Sequence, residues 1–113
     1  MPLSGVWTAE VYGPFGWENR GIFVIEKRRV IGGDNRHYSV GSYQLDGDQM
    51  SATLNVHYYG PPRTQFGSAS ERFTTEIKGR LVGDTIEGII RRPDKPQFDL
   101  QIRITKRMGI PGE

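Results

Sequence analysis

The sequence predicts an all-β domain, an eight-stranded antiparallel up-and-down β-barrel with little or no helix. Fifteen glycines and seven prolines in 113 residues are typical of many short strands joined by turns. Gly-Asp pairs interrupt the apolar alternation at 33–34, 47–48 and 83–84, and such pairs favour two-residue hairpin turns. Eight sequential strands with short connections favour a barrel, because closure removes the exposed sheet edges.

The first four strands are separated by glycine, proline and charged residues. The first strand alternates, with Trp7, Ala9 and Val11 on one face. Residues 13–20 contain glycine, proline and two aromatic residues, and they predict a loop. Residues 21–27 are apolar on both faces, which favours a strand covered on both sides. The eight predicted strands cover residues 5–12, 21–27, 30–31, 38–45, 50–58, 73–81, 86–90 and 98–106.

The last four strands alternate more clearly than the first four. In the fifth strand every second residue is apolar, and these residues are expected to face the core. Prolines exclude a strand from 60–71, and they separate the seventh strand from the eighth at 93–96. The segment 107–113 ends in glycine and proline and predicts a loose tail. The length fits a single domain over 1–113.

The charge balance argues against a nucleic-acid partner. The net charge is +2 and the isoelectric point is about 9.1, with short basic clusters at 27–29, 91–92 and 106–107. One interpretation of these clusters is a nucleic-acid footprint. The alternative is that they lie at strand ends, where Lys and Arg discourage edge-to-edge pairing. We favour strand ends, because thirteen acidic residues nearly balance the fifteen basic ones.

The sequence shows no signal for membrane insertion or export. The longest apolar run, 22–25, has four residues and is far shorter than a transmembrane helix. The N-terminal residues lack the basic and apolar regions of a signal peptide. The absence of cysteine excludes disulfides and thiolate metal sites and suits a reducing compartment. We therefore expect a soluble, cytoplasmic protein.

The sequence contains no familiar catalytic or metal-binding pattern. His37 and His57 are the only histidines, whereas a zinc site needs three or four ligands. Asp46 and Asp48 resemble a carboxylate pair, but an exposed hairpin turn does not raise the pKa of a carboxyl group. No G-x-S-x-G pattern surrounds a serine, and no phosphate-binding helix follows the glycines at 32–33. We therefore expect no enzymatic activity, no metal and no cofactor.

Aromatic residues suggest a binding site more strongly than any other feature. Trp17, Tyr38, Tyr58 and Phe66 are candidates to line the mouth of a barrel and to hold an apolar ligand. The alternative is a filled core, because a small eight-stranded barrel is usually filled by its own side chains. We favour the filled core. Trp17 and Phe66 lie in predicted loops, where large aromatic residues commonly anchor a loop over the core or a partner.

The order of motifs in the first half of the chain resembles a known family. An apolar strand at 21–27 is followed by Gly-Gly-Asp at 32–34 and Gly-x-Tyr at 41–43, then by a Gly-Asp turn and a strand ending near His-Tyr at 57–58. In this order the chain is similar to the GrlR-like family, bacterial negative regulators of type III secretion gene expression. The resemblance covers roughly residues 5–106.

The resemblance implies a lipocalin-like (calycin-like) β-barrel that forms homodimers and binds a transcriptional activator protein rather than DNA. In the family's founding type, an acidic run in the loop after the fourth strand is needed to bind the activator. The corresponding turn in this sequence is Asp46-Gly47-Asp48-Gln49, which is therefore the candidate partner-binding site. The predicted function is a non-enzymatic, regulatory protein-binding barrel. The alternative is a carrier of a small apolar ligand, with an open end framed by Trp17 and Phe66.

Overall fold

The computed structural model describes residues 3–60, 72–94 and 99–112, and all the regular structure in these residues is β-strand. The strands are β1 (Gly5–Gly13), β2 (Gly16–Glu26), β3 (Arg29–Gly33), β4 (His37–Asp46), β5 (Gln49–Tyr58), β6 (Arg72–Val82), β7 (Thr85–Arg91) and β8 (Leu100–Met108). Each strand pairs antiparallel with the next, and β8 pairs antiparallel with β1. The sheet closes into a barrel, which confirms the predicted fold class.

The inner face of the barrel follows from alternation along each strand. The inward positions predicted for β1 and for Met50 to Val56 of β5 are buried, as expected. All eight strands contribute to the core, so that packing of its side chains stabilises closure of the whole sheet. The buried apolar residues are Leu3, Trp7, Ala9, Val11, Ile25, Val30, Tyr43, Met50, Ala52, Leu54, Val56, Ile77, Ile86, Ile102 and Ile104.

The N-terminal segment packs across one end of the barrel, which we call the closed end. Leu3 and Trp7 are each 1% exposed, and Trp7 Nε1 donates a hydrogen bond of 2.9 Å to the carbonyl oxygen of Leu3. The bond satisfies the indole N–H and the carbonyl together in a place where either group, left unpaired, would cost about 1–3 kcal/mol. The turns β2–β3, β4–β5 and β6–β7 lie at the same end.

Two of the three Gly-Asp pairs form the predicted two-residue hairpin turns. Gly47 and Gly83 have φ angles of 64° and 63°, and a positive φ at the first central residue alone is typical of a type II′ turn. Lys27 occupies the same position in the β2–β3 turn with a φ of 58°, a left-handed conformation that costs a non-glycine residue about 1–2 kcal/mol. The third pair differs, because Gly33 ends β3 and Asp34 begins a longer loop.

The β1–β2 connection is a tight hairpin, so the prediction of a loop over 13–20 was wrong. Gly13 pairs with Gly16, and only residues 14–15 form the turn. Aromatic residues on either side of this turn pack on the outer face of the barrel, with the rings of Tyr12 and Trp17 edge to face at 5.4 Å. Cross-strand aromatic pairs stabilise antiparallel strands, which explains why strand structure extends into a glycine-rich stretch.

Strand β8 extends two residues into the segment predicted as a loose tail, 107–113. Met108 pairs with Val6 of β1, and Arg107 Nε donates a hydrogen bond of 2.9 Å to Thr8 Oγ1. Pairing with β1 therefore orders this part of the segment. The predicted loop at 60–71, apart from its first residue, and Phe98 of the predicted last strand lie outside the described residues.

Candidate ligand cavity

Within the part of the chain that the structure describes, the barrel encloses a cavity of about 350 Å³, so the expectation that side chains fill the interior was wrong. All eight strands contribute to its wall, and small inward side chains such as Ala9, Ser39 and Ala52 are too short to meet across the barrel. Alternation along the strands predicted that these residues face inward, but it did not predict that their combined volume is too small to fill the barrel. The apolar residues that line the cavity are Leu3, Ala9, Val11, Phe23, Ile25, Val30, Met50, Ala52, Leu54, Val56, Phe73, Ile77, Ile90, Leu100, Ile102 and Ile104.

The cavity runs from the closed end to the opposite end of the barrel, which we call the mouth. Leu3 lines the cavity at the closed end. At the mouth, the β3–β4 loop, the start of β6 and the end of β7 supply Asp34, Phe73 and Arg92. An apolar interior with a few polar and charged groups at one end is typical of small-molecule sites.

Three hydroxyl-bearing residues among those described, Ser39, Tyr43 and Thr75, interrupt the apolar wall. Ser39 and Thr75 are buried, and no described residue offers a hydrogen-bond partner to Thr75 Oγ1. A buried hydroxyl without a partner costs about 1–3 kcal/mol, so a polar atom of a bound ligand would find a ready partner here. Burial raises the pKa of the Tyr43 phenol, although the nearby charge of Arg28 opposes the rise. Tyr43 therefore adds no charge to the wall at neutral pH.

The β3–β4 loop at the mouth is organised by Asp34. Its Oδ1 accepts hydrogen bonds of 2.8 Å from the backbone N–H groups of Arg36 and His37, and it lies 3.5 Å from His37 Nδ1. Burial raises the pKa of Asp34, but these hydrogen bonds and the charge of His37 outweigh burial, so that the pKa lies below its usual value. The hydroxyl of Tyr59 donates to the carbonyl oxygen of Asp34 at 2.6 Å and ties the loop to the end of β5.

Arginine side chains reach the mouth from β7. The guanidinium of Arg92 lies 4.2 Å from the centroid of the Phe73 ring, and its Nε donates a hydrogen bond of 2.8 Å to Asp94. The Arg92 side chain is only 21% exposed. Arg91 also lines the cavity, with its Nε 3.9 Å from a carboxylate oxygen of Asp99. Stacking on an aromatic face and a carboxylate partner hold Arg92 in one orientation.

A β-bulge brings a further arginine to the cavity. Ala9 pairs with Gly21 and Glu10 with Asn19, so Arg20 is an extra residue of β2 with no partner on β1. Bulges of this kind redirect a side chain, and Arg20 accordingly lines the cavity. Gly21 has a φ of 113°, and a Cβ atom there would overlap the backbone carbonyl of Gly33. Only glycine therefore fits next to the bulge.

Two of the four aromatic residues predicted to line a pocket lie on the outer face of the barrel. Trp17 follows the alternation of β2, with its ring 4.2 Å from the guanidinium carbon of Arg103. Tyr38 is outward on β4, 47% exposed, and stacks on His57 with ring centroids 4.8 Å apart. The assignment of both residues to the pocket was wrong, because outward aromatic pairs on neighbouring strands look the same in the sequence as residues at a barrel mouth.

The other two predicted pocket residues do not define the site either. Tyr58 is half-buried and packs edge to face against His37 at 5.3 Å, without lining the cavity in the described part of the chain. Phe66 lies outside the described residues. Arg91 and Arg92 were missed because they were interpreted as strand-end charges, and Arg20 was missed because it lay in the predicted loop at 13–20. One signal was present, since the inward period of β7 from Ile86 through Ile90 continues to Arg92.

The outer face of β2, β3 and β4 carries an exposed apolar surface. Val24 pairs with Ile31, and Ile31 pairs with Val40, so these side chains form one row across three strands. Ile22 lies two residues before Val24 on the same face of β2, beside this row, and enlarges the apolar surface. We call Ile22, Val24, Ile31 and Val40 the outer apolar patch, and each of them is at least 38% exposed. The expected cover on both sides of residues 21–27 is therefore not provided by this chain's described residues.

The candidate partner-binding turn, Asp46-Gly47-Asp48-Gln49, lies at the closed end and not at the mouth. Arg80 Nε donates a hydrogen bond of 2.8 Å to Asp48 Oδ2, and Gln49 Nε2 donates one of 3.2 Å to Asp48 Oδ1. The hydrogen bond from Arg80 holds the pKa of Asp48 below its usual value. Asp46 is exposed. One of the two acidic side chains in the turn is thus already paired within the barrel.

Across 3–60, 72–94 and 99–112, no group of three or more His, Asp or Glu side chains is placed to hold a metal ion. Within these ranges no helix is long and apolar enough to cross a membrane. No protein-family model matches this sequence, and no curated protein matches it.

Proposed function

We propose that this protein is a non-enzymatic binding protein that holds one small apolar ligand inside the barrel. The supporting observation is the cavity of about 350 Å³ with its apolar wall. Ligand pockets have volumes of about 300–1,000 Å³, so this cavity suits a compact ligand. One water molecule occupies about 30 Å³ of the liquid, so the cavity encloses roughly a dozen non-hydrogen atoms, and the remainder of a larger ligand would lie at the open end of the barrel.

The size of the cavity sets an expected affinity. At about 0.5 kcal/mol per non-hydrogen atom, a ligand of roughly a dozen atoms gains about 6 kcal/mol on binding. This free energy corresponds to a dissociation constant of a few tens of micromolar. A ligand with an additional polar atom near Thr75 would bind more tightly, because it would satisfy a buried hydroxyl.

Binding of a neutral fluorescent probe, N-phenyl-1-naphthylamine, tests this proposal. We expect its fluorescence to rise on titration with the wild-type protein. Ala52 is buried and lines the cavity, so the larger ring in Ala52→Phe would fill part of the cavity and should weaken binding at least tenfold. Thr53→Phe is the matched control, since the neighbouring side chain is exposed on the outer face. Failure of the wild-type protein to bind, or equal losses in both variants, would contradict the proposal.

A second candidate function is a homodimeric regulator that binds a transcriptional activator, as the resemblance to the GrlR-like family implies. The observation that favours it is the outer apolar patch on β2, β3 and β4. Apolar side chains on an outer sheet face gain free energy when a second copy covers them, and a two-fold axis would let the same patch serve both subunits. The Asp46–Gln49 turn is the candidate contact for the activator in this hypothesis.

Sedimentation velocity over a range of concentrations tests this second candidate. We expect Ile31→Lys to shift the wild-type dimer towards monomer, because it places a charge in the outer apolar patch. Ile89→Lys is the matched control, since Ile89 is also exposed on an outer face, but on β7. If an activator is captured, Asp46→Asn combined with Asp48→Asn should reduce its retention while the turn persists. A wild-type protein that is monomeric at all concentrations would contradict dimerisation.

A further inference from the structure

Among the described residues that line the cavity, positively charged side chains outnumber negatively charged ones. Among the described residues, three arginines (Arg20, Arg91 and Arg92) line it, against one carboxylate, that of Asp34. The arginines come from two separate strands, since Arg20 is brought in by the β2 bulge and the other two end β7 or follow it. A cavity that needed only to hold an apolar molecule would gain nothing from cations at its mouth.

The one lining carboxylate among the described residues, that of Asp34, already accepts hydrogen bonds from the protein. Asp34 Oδ1 accepts hydrogen bonds from two backbone N–H groups of its own loop and lies near the imidazole of His37. These donors compensate the negative charge of Asp34 and fix it to the loop. Asp34 therefore opposes the field of the arginines only in part.

The arginines retain free hydrogen-bonding capacity. Arg92 donates through Nε to Asp94, and Nε of Arg91 lies nearest to Asp99. Within the described residues, no hydrogen bond engages the terminal nitrogens of either guanidinium, so these nitrogens can donate to a ligand. Arg20 lies 4.0 Å from Glu18, with half of its side chain exposed. Exposed ion pairs of this kind contribute about 0–1 kcal/mol, so an incoming anion can replace a carboxylate partner at little cost.

We propose that the natural ligand is a single-chain amphiphile, whose apolar chain lies in the cavity and whose anionic headgroup binds the arginines at the mouth. This inference rests on the proposed ligand-binding function and adds the chemical class of the ligand. A carboxylate matches the planar, forked geometry of a guanidinium and can accept two parallel hydrogen bonds from it. The apolar wall supplies affinity, and the arginines supply selection by charge.

A competition experiment with three ligands of equal chain length tests the proposal. Dodecanoic acid, 1-dodecanol and dodecylamine are each used below their micellar concentration to displace N-phenyl-1-naphthylamine from the wild-type protein at pH 7.5. We expect the acid to bind about tenfold more tightly than the alcohol, and the protonated amine to bind more weakly than the alcohol. Equal affinities for acid and alcohol, or tighter binding of the amine, would overturn the headgroup proposal and leave apolar ligand binding intact.

Charge-removing variants locate the headgroup. Arg92→Gln and Arg20→Gln should each reduce the preference for acid over alcohol, measured as the ratio of the two affinities, by about three- to tenfold. Arg20→Gln guards against misfolding, since its side chain is half exposed and lacks the contact with Phe73. Arg29→Gln is the matched control, an exposed arginine at the closed end. An acid preference that persists in both mouth variants, or falls equally in Arg29→Gln, would refute the assignment. If no ligand displaces the probe and the probe itself does not bind, both proposals fail.

Discussion

The two tryptophans offer a matched test of how the closed end of the barrel is held. Trp7 is 1% exposed and donates a hydrogen bond to the carbonyl oxygen of Leu3, whereas Trp17 is 38% exposed on the outer face. Trp7→Phe removes the only donor described for that buried carbonyl, and an unpaired buried group costs about 1–3 kcal/mol. Lost packing adds about 1 kcal/mol, so the expected destabilisation is about 2–4 kcal/mol.

Urea unfolding followed by far-ultraviolet circular dichroism measures this difference without relying on tryptophan fluorescence. Trp7→Phe should lower the unfolding midpoint by about 2 M, taking a denaturant slope of about 1.5 kcal/mol/M. Trp17→Phe should cost at most about 1 kcal/mol, because it weakens only contacts on the outer face, those with Arg103 and Tyr12. A Trp7→Phe variant as stable as Trp17→Phe would refute the role of the Leu3–Trp7 hydrogen bond at the closed end.

Three further predictions concern turns, strands and pH. Lys27→Gly should raise the free energy of unfolding by up to about 1 kcal/mol in urea titrations, because glycine adopts the positive φ of 58° without strain. The greater entropy of glycine in the unfolded chain limits this gain, and a loss of stability would contradict the prediction. Gly41→Ala should destabilise the fold by at least about 2 kcal/mol, because its Cβ would overlap the carbonyl of Thr53, and a midpoint like that of wild type would show that the strands can separate. Because the pKa of Asp34 is lowered in the folded state, its stabilising contribution is present above the unfolded pKa of 3.8 and is lost as pH falls below it. Stability should therefore fall less steeply between pH 5 and pH 3 (a window of roughly one pH unit on each side of that pKa) in Asp34→Asn than in the wild type or in the exposed turn variant Asp84→Asn, and parallel curves for all three would contradict the prediction.

Most of the fold follows from local patterns in the sequence. Alternation identified the inward residues of β1 and β5, and Gly47 and Gly83 marked two hairpin turns that the structure contains. The β1–β2 hairpin was missed because glycine and proline near Trp17 favour a loop locally. Pairing with a neighbouring strand, which no local pattern encodes, decides the structure there.

The candidate site was less accessible to sequence analysis than the fold. Whether an inward alanine such as Ala52 leaves a cavity depends on the summed volume of side chains from all eight strands, and alternation says nothing about that sum. Tyr38 was assigned to the pocket for a related reason. The sequence does not show which face of β4 points outward, so an outward aromatic residue cannot be told from one at the mouth of the barrel. The bulge that redirects Arg20 has no reliable sequence signature beyond the adjacent glycine.

A crystal structure of the protein grown with dodecanoic acid would test the central claim most directly. We predict electron density for the alkyl chain of the fatty acid inside the barrel, between Leu54 and Ile102, with its carboxylate within hydrogen-bonding distance of Arg20 or Arg92. A barrel interior closed by its own side chains would contradict the claim. So would a fatty acid bound only on the outer apolar patch.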